Sequence, residues 1–204
     1  MLAIIDYGVG NLASIRNMFK KIGAEALVTN DIGKIREAQK ILLPGVGAFD
    51  HCMTLFNASG LREIVTRKAL EEATPTIGIC VGLQMLMEGS EEGKEPGLGW
   101  IKGRTVRFRQ DQLGNLKVPH MGWTSVRSCK TSGLTGGFTE DTRFYFVHSY
   151  HVQVADPRDE LIAAEYGTQF TAGVERGNIL GVQFHPEKSH RFGMQLLNNF
   201  VRSY

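Results

Sequence analysis

The chain has 204 residues, 42% hydrophobic and 22% charged, with a formal net charge of +2. That length can bury a sizeable core in one large domain, and no block of like charge offers itself to nucleic acid or a membrane surface. Three scattered cysteines, Cys52, Cys80 and Cys129, exclude a disulfide framework and a clustered zinc site, so a reducing compartment is expected. The first residues, Met1-Leu2-Ala3-Ile4-Ile5-Asp6, carry no basic leader, and no apolar run reaches membrane-spanning length. The expected location is the cytoplasm.

Leu2 to Ile5 is a continuous apolar run, the pattern of a strand buried on both faces of a parallel sheet. After the turn Asp6-Tyr7-Gly8-Val9-Gly10-Asn11, apolar residues Leu12, Ile15, Met18, Phe19 and Ile22 fall at helical spacing, and Gly23 suits the position just past the helix end. Ala26 to Val28 gives a second strand. Within this βαβ start, Gly8-x-Gly10-x-x-Ala13 matches the dinucleotide fingerprint, with Asp31 about 20 residues on, where a ribose-binding acid would stand. A tight turn in any doubly wound sheet needs the same glycines, so nucleotide binding and a plain βα turn both stand open here.

Lys40 to Leu43 is a third strand and runs into Pro44-Gly45-Val46-Gly47-Ala48-Phe49. Backbone amides of a glycine loop at the C-terminal end of a strand can point into a site and form an oxyanion hole, although an ordinary turn fits the same residues. Leu61, Ile64, Val65, Lys68 and Ala69 mark an amphipathic helix with Ser59 as its expected N-cap. It feeds the apolar strand Thr76 to Ile79, which ends at Cys80 between Gly78 and Gly82, with a helix-compatible run from Leu83 to Glu88 beyond. The pattern G-x-C-x-G at a strand-to-helix junction is the thiol form of the nucleophile elbow, and the start of a helix favours the thiolate. A buried structural cysteine between two packing glycines is the competing account.

After the loop Gly89 to Gly99 the texture changes to short strands around residues 105–108, 124–126, 144–147, 151–154, 161–164 and 171–174, expected as mixed or antiparallel additions to the sheet. Leu180 to Val182 then leads to Gln183-Phe184-His185-Pro186-Glu187. A cysteine nucleophile needs a base and a third group to orient that base, and His185 with Glu187 can fill both roles. The C-terminal ends of parallel strands share one edge, so these residues can meet Cys80 there. His148 and His151 compete as the base but sit between two strands and beside no carboxylate. From Ser189 onward, Phe192, Leu196, Leu197, Phe200 and Val201 form the apolar stripe of a packing helix that Ser189 can cap.

The elbow Gly78-Ile79-Cys80-Val81-Gly82-Leu83-Gln84 and the run Phe184-His185-Pro186-Glu187, preceded by Pro44-Gly45-Val46-Gly47, together resemble the class I, triad-type glutamine amidotransferases. Asp6 to Asn11, Val118 to Trp123 and Phe146 to His151 are similar to one branch of that family, the glutaminase subunits of imidazole glycerol phosphate synthases, over essentially the whole chain. The resemblance implies a flavodoxin-like α/β fold in a single domain over 1–204: a mainly parallel central sheet flanked by helices, with added antiparallel strands. It implies that Cys80 attacks glutamine, that His185 and Glu187 complete the triad, and that backbone amides of Val46, Gly47 and Val81 form the oxyanion hole. Gln84, Glu92, His148, Ser149 and Tyr150 are then the glutamine-binding set. His120, Met121 and Trp123 are the expected partner-facing residues beside an ammonia gate, and the implied partner is a separate (β/α)8-barrel cyclase. Neither a metal nor a cofactor is implied. Val81 and Leu83 stand where the family usually has leucine and methionine, both conservative changes. Residues 95–100 and 188–195 resemble a paralogous branch that supplies ammonia to a sugar amidotransferase, which would change the acceptor and leave the glutaminase half as it is.

Overall fold

The computed structural model describes residues 1–204. Four parallel strands open the chain: β1 (Leu2–Ile5), β2 (Ala26–Thr29), β3 (Lys40–Leu43) and β4 (Thr76–Ile79). Between them lie α1 (Leu12–Lys21), α2 (Ile32–Glu37), α3 (Phe49–Ala58) and α4 (Arg62–Leu70), with α5 (Val81–Met85) directly after β4. The chain continues through β5 (Gly103–Arg107), α6 (Gln110–Leu113), β6 (His120–Ser128), β7 (Arg143–His148), β8 (Tyr150–Val154), β9 (Glu160–Tyr166), β10 (Thr168–Arg176) and β11 (Ile179–Val182), and ends in α7 (His190–Ser203).

One sheet carries all of these strands in the order β2-β1-β3-β4-β11-β10-β9-β6-β7, with β8 branching from β10 and β5 pairing β8. β11 returns parallel to β4, whereas β5 to β10 add antiparallel ladders, as the change of texture after residue 99 leads one to expect. From β1 the chain steps one way to β2 and then back past β1 to β3. Right-handed crossovers therefore put α1 on one face of the sheet and α2 to α4 on the other. The contacts agree, since α1 packs against α7, α2 against α4 and α3 against α5. The reversal of direction beside β1 and β3 is the switch point at which open α/β sheets bind ligands. Leu2 to Ile5 and Thr76 to Ile79 are buried along their full length, which accounts for their unbroken apolar runs.

Local capping explains several boundaries. Gly23 follows α1 at φ +73° and donates to the Lys20 carbonyl. Asp31 caps α2 by accepting from the Lys34 amide, and this is its local role rather than ribose binding. Ser59 is not the N-cap of α4; that place is held by Leu61. The Ser59 hydroxyl instead donates to Phe56 O and accepts from the Leu61 amide, linking the end of α3 to the start of α4. The run 83–88 does not stay helical to its end: α5 stops at Met85, and the amides of Gly97, Leu98, Gly99 and Ile101 take the four carbonyls of Met85 to Glu88 that a longer helix would have used. No helix is long and apolar enough to cross a membrane.

Candidate active site

Cys80 sits between the last residue of β4 and the first of α5 with φ +56° and ψ −113°, a conformation that L-residues rarely adopt. The flanking glycines make this turn possible. A Cβ on Gly78 would lie 2.5 Å from Gly82 O, and one on Gly82 would lie 2.1 Å from Leu43 O. A Cβ on Gly45 would lie 2.3 Å from the Gly82 amide nitrogen, so the 44–47 loop and the elbow touch backbone to backbone. Such close approach admits only glycine. Val81 follows as the first helical residue, and its N–H has no intrahelical acceptor.

β11 lies next to β4 in parallel register, with Val182 opposite Ile79, and the Cys80 amide donates to Val182 O at 2.8 Å. The three residues beyond that register carry the chain to His185. Its Nδ1 lies 2.7 Å from Glu187 Oε1, and both side chains are almost fully buried. The contact does not arise from strand alternation, because Glu187 belongs to a short 3-10 turn over Pro186–Lys188 that folds its carboxylate back under the ring. Ser189, placed at the start of α7, does not cap that helix with its side chain. Its hydroxyl donates to His185 O at 2.6 Å and accepts from the Tyr145 amide at 3.0 Å, which pins the histidine's backbone to β7. Burial alone would push the His185 imidazolium down, but the sulfur of Cys80 and the carboxylate of Glu187 outweigh it and raise the pKa to about 10. The histidine is thereby held protonated beside the sulfur of Cys80.

These groups open onto a cleft of about 780 Å³. It is lined by every residue expected for the triad, the oxyanion hole and glutamine binding: Val46, Gly47, Cys80, Val81, Gln84, Glu92, His148, Ser149, Tyr150, His185 and Glu187. Gly10 and Asn11 line the same cleft, so the glycine turn after β1 forms part of this wall. Gln84 Nε2 donates to the Tyr150 carbonyl at 3.3 Å and to Gln183 Oε1 at 3.1 Å. A carbonyl can only accept, which fixes the orientation of both amides and leaves Gln183 Nε2 facing Cys80 Sγ at 3.8 Å. Gln84 Oε1 and Glu187 Oε2 are buried without a protein partner. Glu92 accepts the Phe49 amide through one carboxylate oxygen.

Other expectations are adjusted. His120 is not partner-facing: its ring is fully buried (0% exposed), whereas Met121 and Trp123 on the same strand are 60% and 42% exposed. Strand alternation is the reason: β6 begins at His120, four residues before the strand expected at 124–126, so His120 faces inward and Met121 and Trp123 outward. Neither His148 nor His151 is placed as the base. His148 Nδ1 is spent on the Tyr150 carbonyl at 2.7 Å, and the His151 ring packs over Phe108. The Tyr150 carbonyl, holding both Gln84 and His148, has no lone pair left for a substrate, and Ser149 O accepts the Phe108 amide. Ser149 lines the cleft beside them. Gln183 and Ser189 were the site residues that sequence reasoning missed. The signal for Gln183 was a polar residue wedged between the apolar runs of β11 and Phe184. No group of three His, Cys, Asp or Glu side chains is arranged to hold a metal ion.

A strained cysteine, a buried histidine–carboxylate pair and a cleft at the switch point of a doubly wound sheet form the arrangement that a cysteine nucleophile of the triad type requires. The family model for class I glutamine amidotransferases matches residues 3–203. The chain is 49% identical over 203 residues, 99% of each protein, to the imidazole glycerol phosphate synthase subunit HisH 2 of Methanococcus maripaludis. It is 50% identical over 201 residues, 98% of each, to the subunit HisH 2 of Pseudomonas aeruginosa. A solved glutamine amidotransferase of 18% identity superposes with a TM-score of 0.75, covering 98% of this chain and 96% of the other. This chain belongs to the class I glutamine amidotransferase family.

Proposed function

We propose that this chain is the glutaminase subunit of an imidazole glycerol phosphate synthase, with Cys80, His185 and Glu187 as its catalytic residues. The observation that carries the chemistry is the elbow geometry of Cys80 beside the His185–Glu187 pair at 2.7 Å. End-to-end identity of about half to synthase subunits supports the acceptor.

The Cys80 thiolate attacks the side-chain amide carbon of glutamine. The tetrahedral oxyanion falls to the amides of Val81 and of the Val46-Gly47 loop. His185, already protonated, gives its proton to the departing nitrogen, so ammonia leaves and a thioester remains on Cys80. A water then loses a proton to His185 and attacks the thioester, releasing glutamate and restoring the thiolate–imidazolium pair. Glu187 keeps the imidazole in one orientation throughout. Glu92, with its second oxygen free, suits the substrate's α-ammonium. The buried, unpaired Oε1 of Gln84 supplies a further acceptor whose satisfaction rewards a ligand that brings an N–H. Ammonia would then pass to a (β/α)8-barrel cyclase docked over the exposed Met121 and Trp123.

A second acceptor, a sugar amidotransferase, is favoured by residues 95–100 and 188–195, which resemble the paralogous branch that serves one. A chloroketone analogue of glutamine should alkylate Cys80 and block glutamine hydrolysis. Failure to label, or labelling elsewhere with activity retained, would refute the triad. Affinity capture with the intact chain should then recover a barrel cyclase, and recovery of a sugar amidotransferase in its place would overturn the histidine-pathway assignment.

A further inference from the structure

Behind the cleft, on the inner side of β6 and β7, two histidines form a buried chain that the triad does not use. His120 and His148 are direct cross-strand partners, and His120 Nδ1 lies 2.9 Å from His148 Nε2. His148 Nδ1 lies 2.7 Å from the Tyr150 carbonyl, and His120 Nε2 lies 2.8 Å from Thr124 Oγ1. Their surroundings are aromatic: Phe146 and Tyr166 stack on His120, and Phe108 and Phe170 pack edge-on or tilted against both rings. No carboxylate is hydrogen-bonded to either ring. Burial accordingly pushes both imidazoles well below their ordinary value, to about 4 for His120 and about 3 for His148.

Neutrality fixes the direction of every bond in the chain. The Tyr150 carbonyl can only accept, so His148 carries its single proton on Nδ1 and presents a bare Nε2. His120 must then donate from Nδ1 and keep Nε2 bare, and Thr124 must donate its hydroxyl proton to that nitrogen. On the far side of the Tyr150 carbonyl the chain continues through Gln84 Nε2 and Gln183 to Cys80 Sγ. We propose that Thr124 and His120 are positioning residues for the glutamine site: they brace the Nδ1–H form of His148 from behind, and His148 in turn holds the Tyr150 carbonyl that orients the Gln84 side-chain amide in the cleft wall. This rests on the glutaminase reading of the cleft. Because β6 carries His120 and Thr124 on its inner side and Met121 and Trp123 on its exposed side, any partner seated outside presses on the strand that sets this chain.

The tautomers can be read without any turnover. Long-range proton–nitrogen correlation spectra of the labelled full chain at neutral pH should show both His120 and His148 protonated on Nδ1 alone. An Nε2–H signal from either ring would overturn the proposal even if the chain hydrolyses glutamine. Thr124→Val should strip His120 Nε2 of its donor, shift that nitrogen's signal, and raise the KM for glutamine roughly three- to tenfold, the effect of one buried neutral hydrogen bond, with kcat little changed. Thr124→Ser, which keeps the hydroxyl, should restore both the spectrum and the KM. An unchanged KM in folded Thr124→Val, or a loss confined to kcat, would overturn the positioning role. Loss of all activity in the unaltered chain would instead count against the glutaminase reading while the spectra still decided the tautomers.

Discussion

Two histidines line the same cleft, and their environments drive them in opposite directions. His185, paired with Glu187 and facing the sulfur of Cys80, is raised to about 10. His148, closed in by aromatic rings and another histidine, is lowered to about 3. Both are buried, so burial does not decide the outcome; what decides it is whether an anion is in reach. The first arrangement stores a proton for a leaving group. The second forbids one, and so turns a titratable residue into a fixed donor with a fixed acceptor behind it.

The largest test of this contrast is Glu187→Gln. Removing the anion while keeping the shape should lower kcat by roughly 10²–10⁴-fold, the range of a general acid–base contribution, with a smaller change in KM measured by glutamate release. An activity within a factor of two of the unaltered chain would break the comparison. Next in size is the pH dependence of stability. Above pH 6.5 the folded chain keeps a proton on His185 that the unfolded chain gives up, so stability should fall as pH rises from about 6.5 toward 10. Below pH 6.5 the unfolded chain protonates His120 and His148 while the folded chain does not, so stability should also fall as pH drops toward 4 and 3. Thermal unfolding followed across this range should show a shallower alkaline limb in Glu187→Gln, where the sulfur of Cys80 remains, and an unchanged acid one. Each kcal/mol involved moves Tm by about 2–4 °C in a chain of this size. Smaller again is Gly82→Ala, whose new methyl would meet Leu43 O at 2.1 Å. A cost of about 1–3 kcal/mol is expected from the forced backbone shift, and a Tm equal to that of the unaltered chain would show that the elbow and the 44–47 loop are not in fixed contact.

Much of this was legible in the sequence because it is local. The elbow, the glycine loop and His185-Pro186-Glu187 are short runs whose chemistry is carried by adjacent residues, and the unbroken apolar strands announced the parallel half. Helix α3 buries Phe49, Cys52, Met53 and Phe56 on one face, but its start at Ala48 carries no capping side chain to announce it. Helix α2 buries only Ile35 and has little periodicity to read. The start of β6 was hidden for a different reason. Pro119-His120-Met121-Gly122 is a poor strand by composition, and it becomes one through the ladder that pairs His120 with His148 and Trp123 with Tyr145. The inward turn of His120 follows from that long-range pairing and from nothing nearby in the chain.

The two sides of β6 therefore answer to separate demands. Substitutions at Met121 or Trp123 reshape what the outside can bind without altering a single bond of the Thr124–His120–His148 chain. With the proposed docking over Met121 and Trp123, divergence after gene duplication would have an open route: one copy could exchange its partner by small steps on alternate residues, while the intervening ones kept the buried chain intact at every stage.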